Sequence, residues 1–458
     1  MYERDTIAAI ATPLGEGAVA VIRMSGVDAE KIARAIFLRK GKTVDRLTSH
    51  RLYHGAIHDP RTERMVDEVL LTIMRAPHSY TGEDVVEVQC HGGAFLTRQL
   101  LGLILAQGAR QAEAGEFTKR AFLNGKLDLA QAEAVLDLIR ARTAKGAEIA
   151  LSQARGSLSN YVDALRQELL DIMVQVEAAI DFPDEDIELL QKPKLIDKIR
   201  FLADKLSAIA ETYNWGRLFR EGARVCICGR PNVGKSSLLN ALLGENRVIV
   251  TPVPGTTRDV IEESVNLDGL PLVLWDTAGI REASDEVEKL GVELSRQHLE
   301  KADAAMLVVD GSVHASEEDK GLLGGLVEKR KIIVINKSDL PRVLSLDEFG
   351  KSAESFNCVA VSAKTGTGIE QLKNRLRELL LEYQTESNVV VSNVRHHSSL
   401  VRSAAGLRSA ADTLALGLAP ELAAVNLHEA RDGLEEIIGL VDNDTILERI
   451  FSEFCIGK

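Results

Sequence analysis

The chemistry that this sequence can perform is clearest between Gly229 and Ser236, whose residues read GRPNVGKS. A triphosphate concentrates negative charge, so the loop that binds it needs nearby backbone N–H groups and few bulky side chains. Gly229 and Gly234 allow that close approach. Lys235 can reach the β- and γ-phosphates, which makes it a catalytic candidate, and the Ser236 hydroxyl can ligate the Mg²⁺ ion that bridges them. The predicted contact residues of this triphosphate site are Asn232, Val233, Gly234, Lys235, Ser236 and Ser237.

The segments around this loop match the strand and the helix that a phosphate-binding loop connects. The apolar run from Arg224 to Cys228 predicts a buried strand, and Ser236 to Leu243 predicts the helix that follows it. Such a turn brings backbone amides to a helix amino terminus, where anions bind favourably. Because the pattern also arises by chance, its weight depends on the motifs that follow it.

A second motif ends another apolar run, Leu272 to Gly279, which reads LVLWDTAG. In this layout a strand delivers a carboxylate behind the Mg²⁺ ion and a glycine N–H to the γ-phosphate. We assign these roles to Asp276 and Gly279. We expect Thr277 and Ala278, which lie between them, to contact the nucleotide as well.

Two further strand ends carry residues that would recognise the base. The Asp339 carboxylate only accepts hydrogen bonds, so it can pair with the two adjacent N–H donors of guanine, which adenine lacks. The Ala363 N–H can donate to the guanine carbonyl oxygen. Four motifs in this order on successive strand ends predict a GTPase. The predicted residues of the base site are Asn336, Lys337, Asp339, Ser362, Ala363 and Lys364.

Composition limits the class of protein. The 458 residues carry a formal net charge of −13 and are 45% hydrophobic and 4% aromatic. These values are ordinary for a soluble enzyme and argue against nonspecific nucleic-acid binding. Five scattered cysteines do not suit a disulfide framework, so we expect a reducing cytoplasm. The sequence shows neither an export signal nor an apolar run of about eighteen residues, so we expect no membrane association.

The first segment of the chain, residues 1–120, mixes two periodicities. Ala18 to Arg23, Asp67 to Met74 and Val85 to Cys90 are predicted strands, and Phe95 to Gly108 is a predicted helix. The segment is therefore predicted to be an α+β domain.

The rest of the chain is helical on both sides of the nucleotide motifs. Residues 121–221 contain an apolar stripe from Val162 to Ala179 with steps of three and four residues, and residues 383–458 are again predicted to be helical. Residues 222–382 form the predicted P-loop GTPase domain. Helical blocks on both sides of a compact domain predict that this domain is inserted in a helical bundle.

The motifs together resemble those of the tRNA-modification GTPases of the MnmE (TrmE) family, and the resemblance covers the whole chain. The segments that carry it are GRPNVGKS, TPVPGTTRD from Thr251, DTAGIREASDEVE from Asp276, NKSD, FLNGKLDLAQAEA from Phe122, and the terminal CIGK. The resemblance implies a multidomain α/β plus α protein that forms a homodimer through an amino-terminal folate-binding domain. It also implies a partner, the FAD-dependent protein MnmG (GidA). Such pairs attach an aminomethyl or carboxymethylaminomethyl group to carbon 5 of the wobble uridine of certain tRNAs.

By the same resemblance, four residues match the folate site of the family: Arg23, Glu83, Lys126 and Lys458. Arg and Lys suit the glutamate carboxylate of 5-formyl- or methylene-tetrahydrofolate, and Glu suits the adjacent N–H donors of the pterin. Cys455 matches a cysteine proposed as a catalytic thiol. The alternative for Cys455 is an ordinary cysteine in a loosely held tail.

The resemblance also bears on how GTP is hydrolysed. Ras-type enzymes orient the attacking water with a Gln directly after the Asp-x-x-Gly motif, but Ile280 stands there and cannot do so. In the family a Glu further along organises the water. Its position matches Glu288, with Glu282 and Glu286 as alternatives.

In place of an arginine finger, the family uses K⁺, although Arg258 is an alternative in this sequence. Thr257 matches the switch threonine that joins Ser236 on Mg²⁺, and Thr251, Thr256 and Thr257 are also expected to contact GTP. The residues that match the K⁺ positions are Asn232, Thr251, Val253 and Thr256.

Two other functions share part of this pattern. A GTPase of ribosome or RNA assembly would carry the same nucleotide motifs, but not the folate-like amino-terminal segment or the CIGK ending. A folate-binding scaffold whose GTPase only switches shape would show single-turnover hydrolysis without modified tRNA.

Overall fold

The structure is a computed structural model, and the residues that it describes form two compact units. Unit one comprises residues 1–136, 153–163 and 434–458, and unit two comprises residues 137–152 and 164–433. Within these limits the described residues are 5–13, 15–181, 192–244, 263–276, 298–326, 330–349, 357–381, 389–441 and 444–458.

An eight-stranded sheet forms the centre of unit one. Its strands are β1 Ile7–Ile10, β2 Gly17–Ser25, β3 Phe37–Arg39, β4 Lys42–Thr43, β5 Leu52–His58, β6 Met65–Met74, β7 Val85–Gly92 and β8 Arg110–Gln111. They follow the order β4-β3-β5-β6-β7-β2-β1-β8. All neighbours are antiparallel except β1 and β8, which are parallel. The three strands predicted from alternation are confirmed as β2, β6 and β7.

Two helices cover one face of this sheet. Ala29–Ile36 and Ala94–Ala106 pack with the inward-facing residues of the strands in one apolar cluster, in which Ile32 and Leu100 are almost fully buried. The second helix confirms the prediction for Phe95 to Gly108. Just after the end of this helix, Gly108 has a φ of +109°, a left-handed conformation that favours glycine.

A second apolar cluster of unit one involves the last helix, Asp444–Ser452. Its Leu447 and Phe451, together with Phe454, pack against Leu129 and Leu136. Since this burial removes apolar surface from water, it fixes the carboxyl-terminal residues to the unit that contains the amino terminus. The other helix that lies wholly in unit one is Glu116–Leu123.

Unit two contains a six-stranded sheet with the order β10-β11-β9-β12-β13-β14. Only β10 and β11 are antiparallel, so the carboxyl ends of β11, β9, β12, β13 and β14 lie at one edge. The register pairs Asp310 with Asn336 at that edge. The strands are β9 Ala223–Cys228, β10 Glu263–Leu267, β11 Leu270–Asp276, β12 Ala304–Asp310, β13 Lys331–Asn336 and β14 Asn357–Ala360.

Helices flank this sheet and extend beyond it. Among the described residues, the helices that lie wholly in unit two are Lys192–Glu211, Tyr213–Glu221, Lys235–Leu243, Glu317–Gly324, Ile369–Leu380 and Val394–Ala415, with a 3-10 turn at Leu346–Phe349. Those with residues in both units are Leu129–Arg140, Ala144–Ala154, Ser157–Asp181 and Pro420–Ile438. None of the helices in the described ranges combines the length and apolarity needed to cross a membrane.

The helical segments before and after the nucleotide motifs pack together in unit two. Lys192–Glu211 lies along Val394–Ala415. Where the chain enters and leaves the sheet domain, the Val391 N–H donates to Thr212 Oγ1 at 2.9 Å. These contacts confirm that the phosphate-binding-loop domain is inserted in a helical bundle.

Candidate functional site

The phosphate-binding loop lies between β9 and the helix Lys235–Leu243. Gly229 has a φ of +149°, and a Cβ on it would lie 2.3 Å from the Val308 carbonyl oxygen. Gly234 has a φ of +95°, and a Cβ on it would lie 2.3 Å from Asn336 Nδ2. A side chain at Gly229 would therefore clash with the β12 backbone and one at Gly234 with the Asn336 amide, so the glycines preserve the loop shape that phosphate binding needs.

Lys235 begins the helix, and its side chain folds back over the loop. It is only 7% exposed, and its Nζ donates to the carbonyl oxygens of Gly229 at 2.8 Å and Arg230 at 2.7 Å. A phosphate chain in the loop would thus meet a fixed positive charge. The Ser236 side chain is exposed in the first helical turn, which suits a hydroxyl that ligates Mg²⁺. The described residues therefore fit a Mg²⁺-nucleotide.

Asn336 connects the phosphate-binding loop to the loop at Ser362 to Lys364. It is 2% exposed, its Nδ2 donates to the Val233 carbonyl oxygen at 2.8 Å, and its Oδ1 accepts from the Ala363 N–H at 3.0 Å. Both bonds join backbone groups of different loops to one side chain. Asn336 is therefore a brace that sets the distance between the phosphate loop and the predicted base loop.

Asp339 and Lys337 are held by neighbours at the same sheet edge. Asp339 Oδ1 accepts from Ser362 Oγ at 2.6 Å, and this bond is the largest cause that lowers the pKa of Asp339. The Asp339 carboxylate is thus ionised and acceptor-only at neutral pH. Lys337 Nζ donates to Asp310 Oδ2 at 2.6 Å.

Two acidic residues that form ion pairs in this region were not among the predicted site residues. Asp310 ends the apolar strand β12 as Asp276 ends β11, so the same strand-end pattern could have found it. Asp319 is 1% exposed, pairs with Arg230 of the phosphate-binding loop at 2.8 Å, and caps the helix Glu317–Gly324. Nothing local in the sequence predicts that second pair.

Part of the predicted nucleotide site lies outside the described residues. The backbone of Asp276 pairs with Ile227 of β9, so β11 ends at the edge that carries the phosphate-binding loop. Beyond that backbone position, neither the side chain of Asp276 nor the next residues are described. The predictions that fall there concern Thr251, Val253, Thr256, Thr257, Arg258, Thr277, Ala278, Gly279, Ile280, Glu282, Glu286 and Glu288.

In unit one, the structure brings Arg23 and Lys458 together. Arg23 on β2 pairs with Glu87 across the β2–β7 ladder at 2.8 Å, and its guanidinium carbon lies 5.7 Å from the ring centres of Tyr80 and Phe117. The Lys458 carbonyl oxygen accepts from the Phe117 N–H at 3.1 Å. Burial lowers the pKa of Lys458, and the positive charge of Arg23 lowers it further.

Glu83 lies beside Ser25, two residues along β2 from Arg23. Its Oε2 accepts from Ser25 Oγ at 2.7 Å and from Arg120 Nη1 at 3.1 Å. Ser25 Oγ is also hydrogen-bonded to Thr81 Oγ1 at 2.7 Å. These bonds fix the direction of the Glu83 carboxylate.

Lys126 is exposed on the other side of the loop that carries Glu83. Its Nζ donates to the Pro77 carbonyl oxygen at 3.1 Å, and its aliphatic chain lies against Gly82. The structure therefore brings Lys126 to this loop but gives it no contact with Arg23 or Lys458 among the described residues.

Arg120 is the important residue that sequence reasoning missed here. It is fully buried, and it pairs with Asp5 at 2.6 Å, Glu116 at 3.0 Å and Glu83 at 3.1 Å. Burial alone would raise the pKa of Glu116, but hydrogen bonds, first from Arg110 and also from Arg120, lower it below its ordinary value. The spacing of four between Glu116 and Arg120 on one helix was the available signal.

The tail that contains Cys455 is held in place, so the alternative of a loose tail is wrong. Ile456 forms an antiparallel bridge with Ala114. Gly457 has a φ of +100°, and a Cβ there would lie 2.3 Å from the Ile10 carbonyl oxygen. Cys455 itself is exposed beside this anchored backbone.

Comparison with known proteins agrees with this geometry. The family model "MnmE helical domain" matches residues 129–455, and "GTP-binding protein TrmE N-terminus" matches residues 6–126. The tRNA modification GTPase MnmE of Geobacter sulfurreducens is 47% identical, with 100% of each chain covered. The protein of the same name from Lactiplantibacillus plantarum is 46% identical, with 100% of this chain and 99% of that one covered.

A third tRNA modification GTPase MnmE, from Ligilactobacillus salivarius, is 44% identical, with 100% of this chain and 98% of that one covered. Among solved structures, the G domain of the T. maritima FeoB iron transporter matches 34% of this chain and 98% of its own. It does so with 29% identity and a TM-score of 0.26. Because relatives match from end to end at this identity and one family model covers more than half of the residues, the chain belongs to the MnmE family of tRNA modification GTPases.

Proposed function

We propose that this GTPase adds an aminomethyl or carboxymethylaminomethyl group to carbon 5 of the wobble uridine of certain tRNAs. It acts with an FAD-dependent partner of the MnmG (GidA) kind and uses a one-carbon unit from 5-formyl- or methylene-tetrahydrofolate. The observation that supports this most is Lys458, a half-buried ammonium with no side-chain carboxylate at ion-pair distance among the described residues. An anion would stabilise a half-buried cation of this kind, and the folate glutamate supplies one.

The neighbours of Lys458 suit the rest of a folate molecule. Arg23 adds a second cation, and the Tyr80 and Phe117 rings lie beside it, which suits a ligand that combines a carboxylate with flat rings. We assign Glu83 to the pterin N–H donors, because Arg120 and Ser25 already fix its orientation. Lys126 completes the proposed set from the other side of the loop.

For GTP, we assign the phosphates to the loop Asn232–Ser237 and the base to Asp339 and the loop at Ser362 to Lys364. The bonds from Lys235 Nζ to two loop carbonyl oxygens hold a positive charge within the loop. When bound, Mg²⁺ and K⁺ supply positive charge that offsets the charge developing on the phosphates. The Mg²⁺ ligands in this proposal are Ser236 and Thr257, the K⁺ ligands are Asn232, Thr251, Val253 and Thr256, and Glu288 orients the water.

We further propose that two chains form a homodimer through residues 1–120 and that the protein works in the cytoplasm. The proposed boundaries are 1–120 for this domain, 121–221 and 383–458 for the helical domain, and 222–382 for the GTPase domain. The family models that divide the chain between residues 126 and 129 support the first boundary.

Mass analysis of tRNA wobble nucleosides tests the proposal. Cells that lack this protein should lose the carbon-5 modification, and the wild-type gene should restore it. Lys458→Ala should restore much less than Lys194→Ala, an exposed lysine in unit two that serves as the control. An unchanged nucleoside profile in cells without the protein would contradict the proposed reaction. Equal rescue by both variants would contradict the proposed folate site.

A further inference from the structure

The edge of the unit-one sheet at β3 and β4 concentrates positive charge. Between Phe37 and Arg51 the chain has a single carboxylate, Asp45, although its overall net charge is −13. This edge is therefore opposite in charge to the molecule as a whole. The Arg and Lys residues of the segment, all exposed, are Arg39, Lys40, Lys42, Arg46 and Arg51.

The fold brings four of these five residues close together. Arg39 and Lys42 are direct partners in the antiparallel β3–β4 ladder, where opposed Cβ atoms lie about 4.5–5.5 Å apart. Lys40 occupies the turn between them with a φ of +51°. The Arg39 guanidinium carbon lies 5.4 Å from the centre of the Tyr53 ring, and the charge of Arg51 also reaches the Tyr53 hydroxyl. We call Arg39, Lys40, Lys42 and Arg51 the basic edge.

Among the described residues, no carboxylate lies at ion-pair distance from the basic edge. Within the described part of the chain, none of its four residues has an ion-pair partner. Two arginines elsewhere in unit one do have carboxylate partners: Arg23 pairs with Glu87 and Arg75 with Glu30, both at 2.8 Å. Like charges placed directly opposite each other destabilise an antiparallel ladder. An anion from outside the chain would remove that repulsion, so the arrangement is typical of a binding surface.

We propose that the basic edge binds the sugar-phosphate backbone of the tRNA substrate. The inference rests on the proposed function, because tRNA as substrate is part of it. Phosphates suit this surface better than bases do, since Tyr53 is partly buried and Arg39 already lies over its ring. A tRNA suits it better than an anionic membrane, because the proposed substrate is itself a polyanion and a wide apolar face beside the cations would strengthen membrane binding. Leu52, 56% exposed, is the adjacent large apolar side chain on β5.

A charge-neutral triple variant tests the proposal in the full-length protein: Lys40→Gln, Lys42→Gln and Arg51→Gln. Arg39 stays, because it packs on Tyr53. The affinity for an unmodified tRNA transcript is measured by fluorescence anisotropy from about 50 to 200 mM salt. If each residue neutralises one phosphate, the slope of log affinity against log salt should become shallower by about 2–3. The ratio of wild-type affinity to variant affinity should therefore be roughly 20–40-fold smaller at the high-salt end of that range than at the low-salt end.

A second triple variant has the same change in net charge and serves as the control: Lys194→Gln, Lys198→Gln and Arg375→Gln, on exposed helix positions of unit two. It should keep the wild-type salt slope. The basic-edge variant should keep the wild-type melting temperature and GTP hydrolysis rate, because its residues lie outside the nucleotide site.

Three results would overturn the proposal: a wild-type slope in the basic-edge variant, an equal loss in the control, or a loss confined to binding of phosphatidylglycerol vesicles. The last result would identify a lipid surface instead. The proposed function is tested separately by the nucleoside analysis. If cells without the protein keep their nucleosides but the basic-edge variant has a shallower salt slope, the proposed function is wrong and the basic edge is still an RNA-binding surface. If those cells lose the modified nucleosides but the basic-edge variant keeps the wild-type salt slope, only the proposal for the basic edge is wrong.

Discussion

Replacing Asn336 by alanine should destabilise the GTPase domain and weaken GTP binding at the same time. The side chain is 2% exposed and makes two hydrogen bonds, one to the Val233 carbonyl oxygen and one from the Ala363 N–H. The variant keeps both backbone groups but removes their common partner. The structure therefore predicts a larger loss than an exposed Asn→Ala change would cause.

The magnitude follows from the burial of the two orphaned groups. A buried polar group left without a partner costs about 1–3 kcal/mol. Val233 is 2% exposed, so its carbonyl group should cost the larger share, whereas the Ala363 contact is only partly buried. We expect a total loss of about 2–4 kcal/mol in the free energy of unfolding. Because the brace also spaces the two nucleotide loops, GTP affinity should fall at least about tenfold, which corresponds to about 1.4 kcal/mol.

Urea unfolding followed by tryptophan fluorescence measures the stability change, since both tryptophans, Trp215 and Trp275, lie in unit two. Titration with a fluorescent GTP analogue measures the affinity. Asn374→Ala, at an exposed position of the helix Ile369–Leu380, is the matched control and should change stability by less than about 0.5 kcal/mol. If Asn336→Ala matches that control, the two hydrogen bonds do not brace the loops. If stability falls but GTP affinity does not, the brace does not shape the nucleotide site.

Three further predictions concern recognition and hydrolysis of GTP. Asp339→Asn should weaken GTP binding by about 1–3 kcal/mol and admit xanthine nucleotides, because an amide replaces an acceptor-only carboxylate; unchanged GTP affinity in a titration would remove Asp339 from the base site. Glu288→Ala should lower turnover about 10²–10⁴-fold while GTP affinity stays the same. Glu282→Ala and Glu286→Ala are its controls, and loss of turnover in either of them, with Glu288→Ala active, would move the water-orienting role. Hydrolysis should be faster in K⁺ than in Na⁺, and equal rates would contradict a K⁺ site.

The sequence by itself determined the strands, loop and helix that carry the predicted nucleotide site. Gly229 and Asp339 were identifiable because each comes shortly after an apolar strand, and Lys235 because it ends the glycine-containing loop after the first of these strands; the carboxyl ends of parallel strands meet at one sheet edge. The loop glycines were also identifiable from the sequence, since the left-handed backbone conformation at these positions favours glycine. The insertion of the GTPase domain also followed from local periodicity, because the helical segments before and after it needed a common apolar core.

Only the tertiary structure decided which distant residues touch. Asn336 was expected to contact the nucleotide, but its bonds to Val233 and Ala363 depend on the register in which β13 lies beside its neighbours. Glu116 lies one helical turn from Arg120, but Asp5 and Glu83 come from segments far apart in the chain, so only the fold shows that Arg120 is buried among three carboxylates. The same holds for Lys458, whose carbonyl oxygen reaches the Phe117 N–H because the last helix packs into unit one. Local preferences specify strands, turns and helices, whereas pairing between remote side chains depends on how those elements pack.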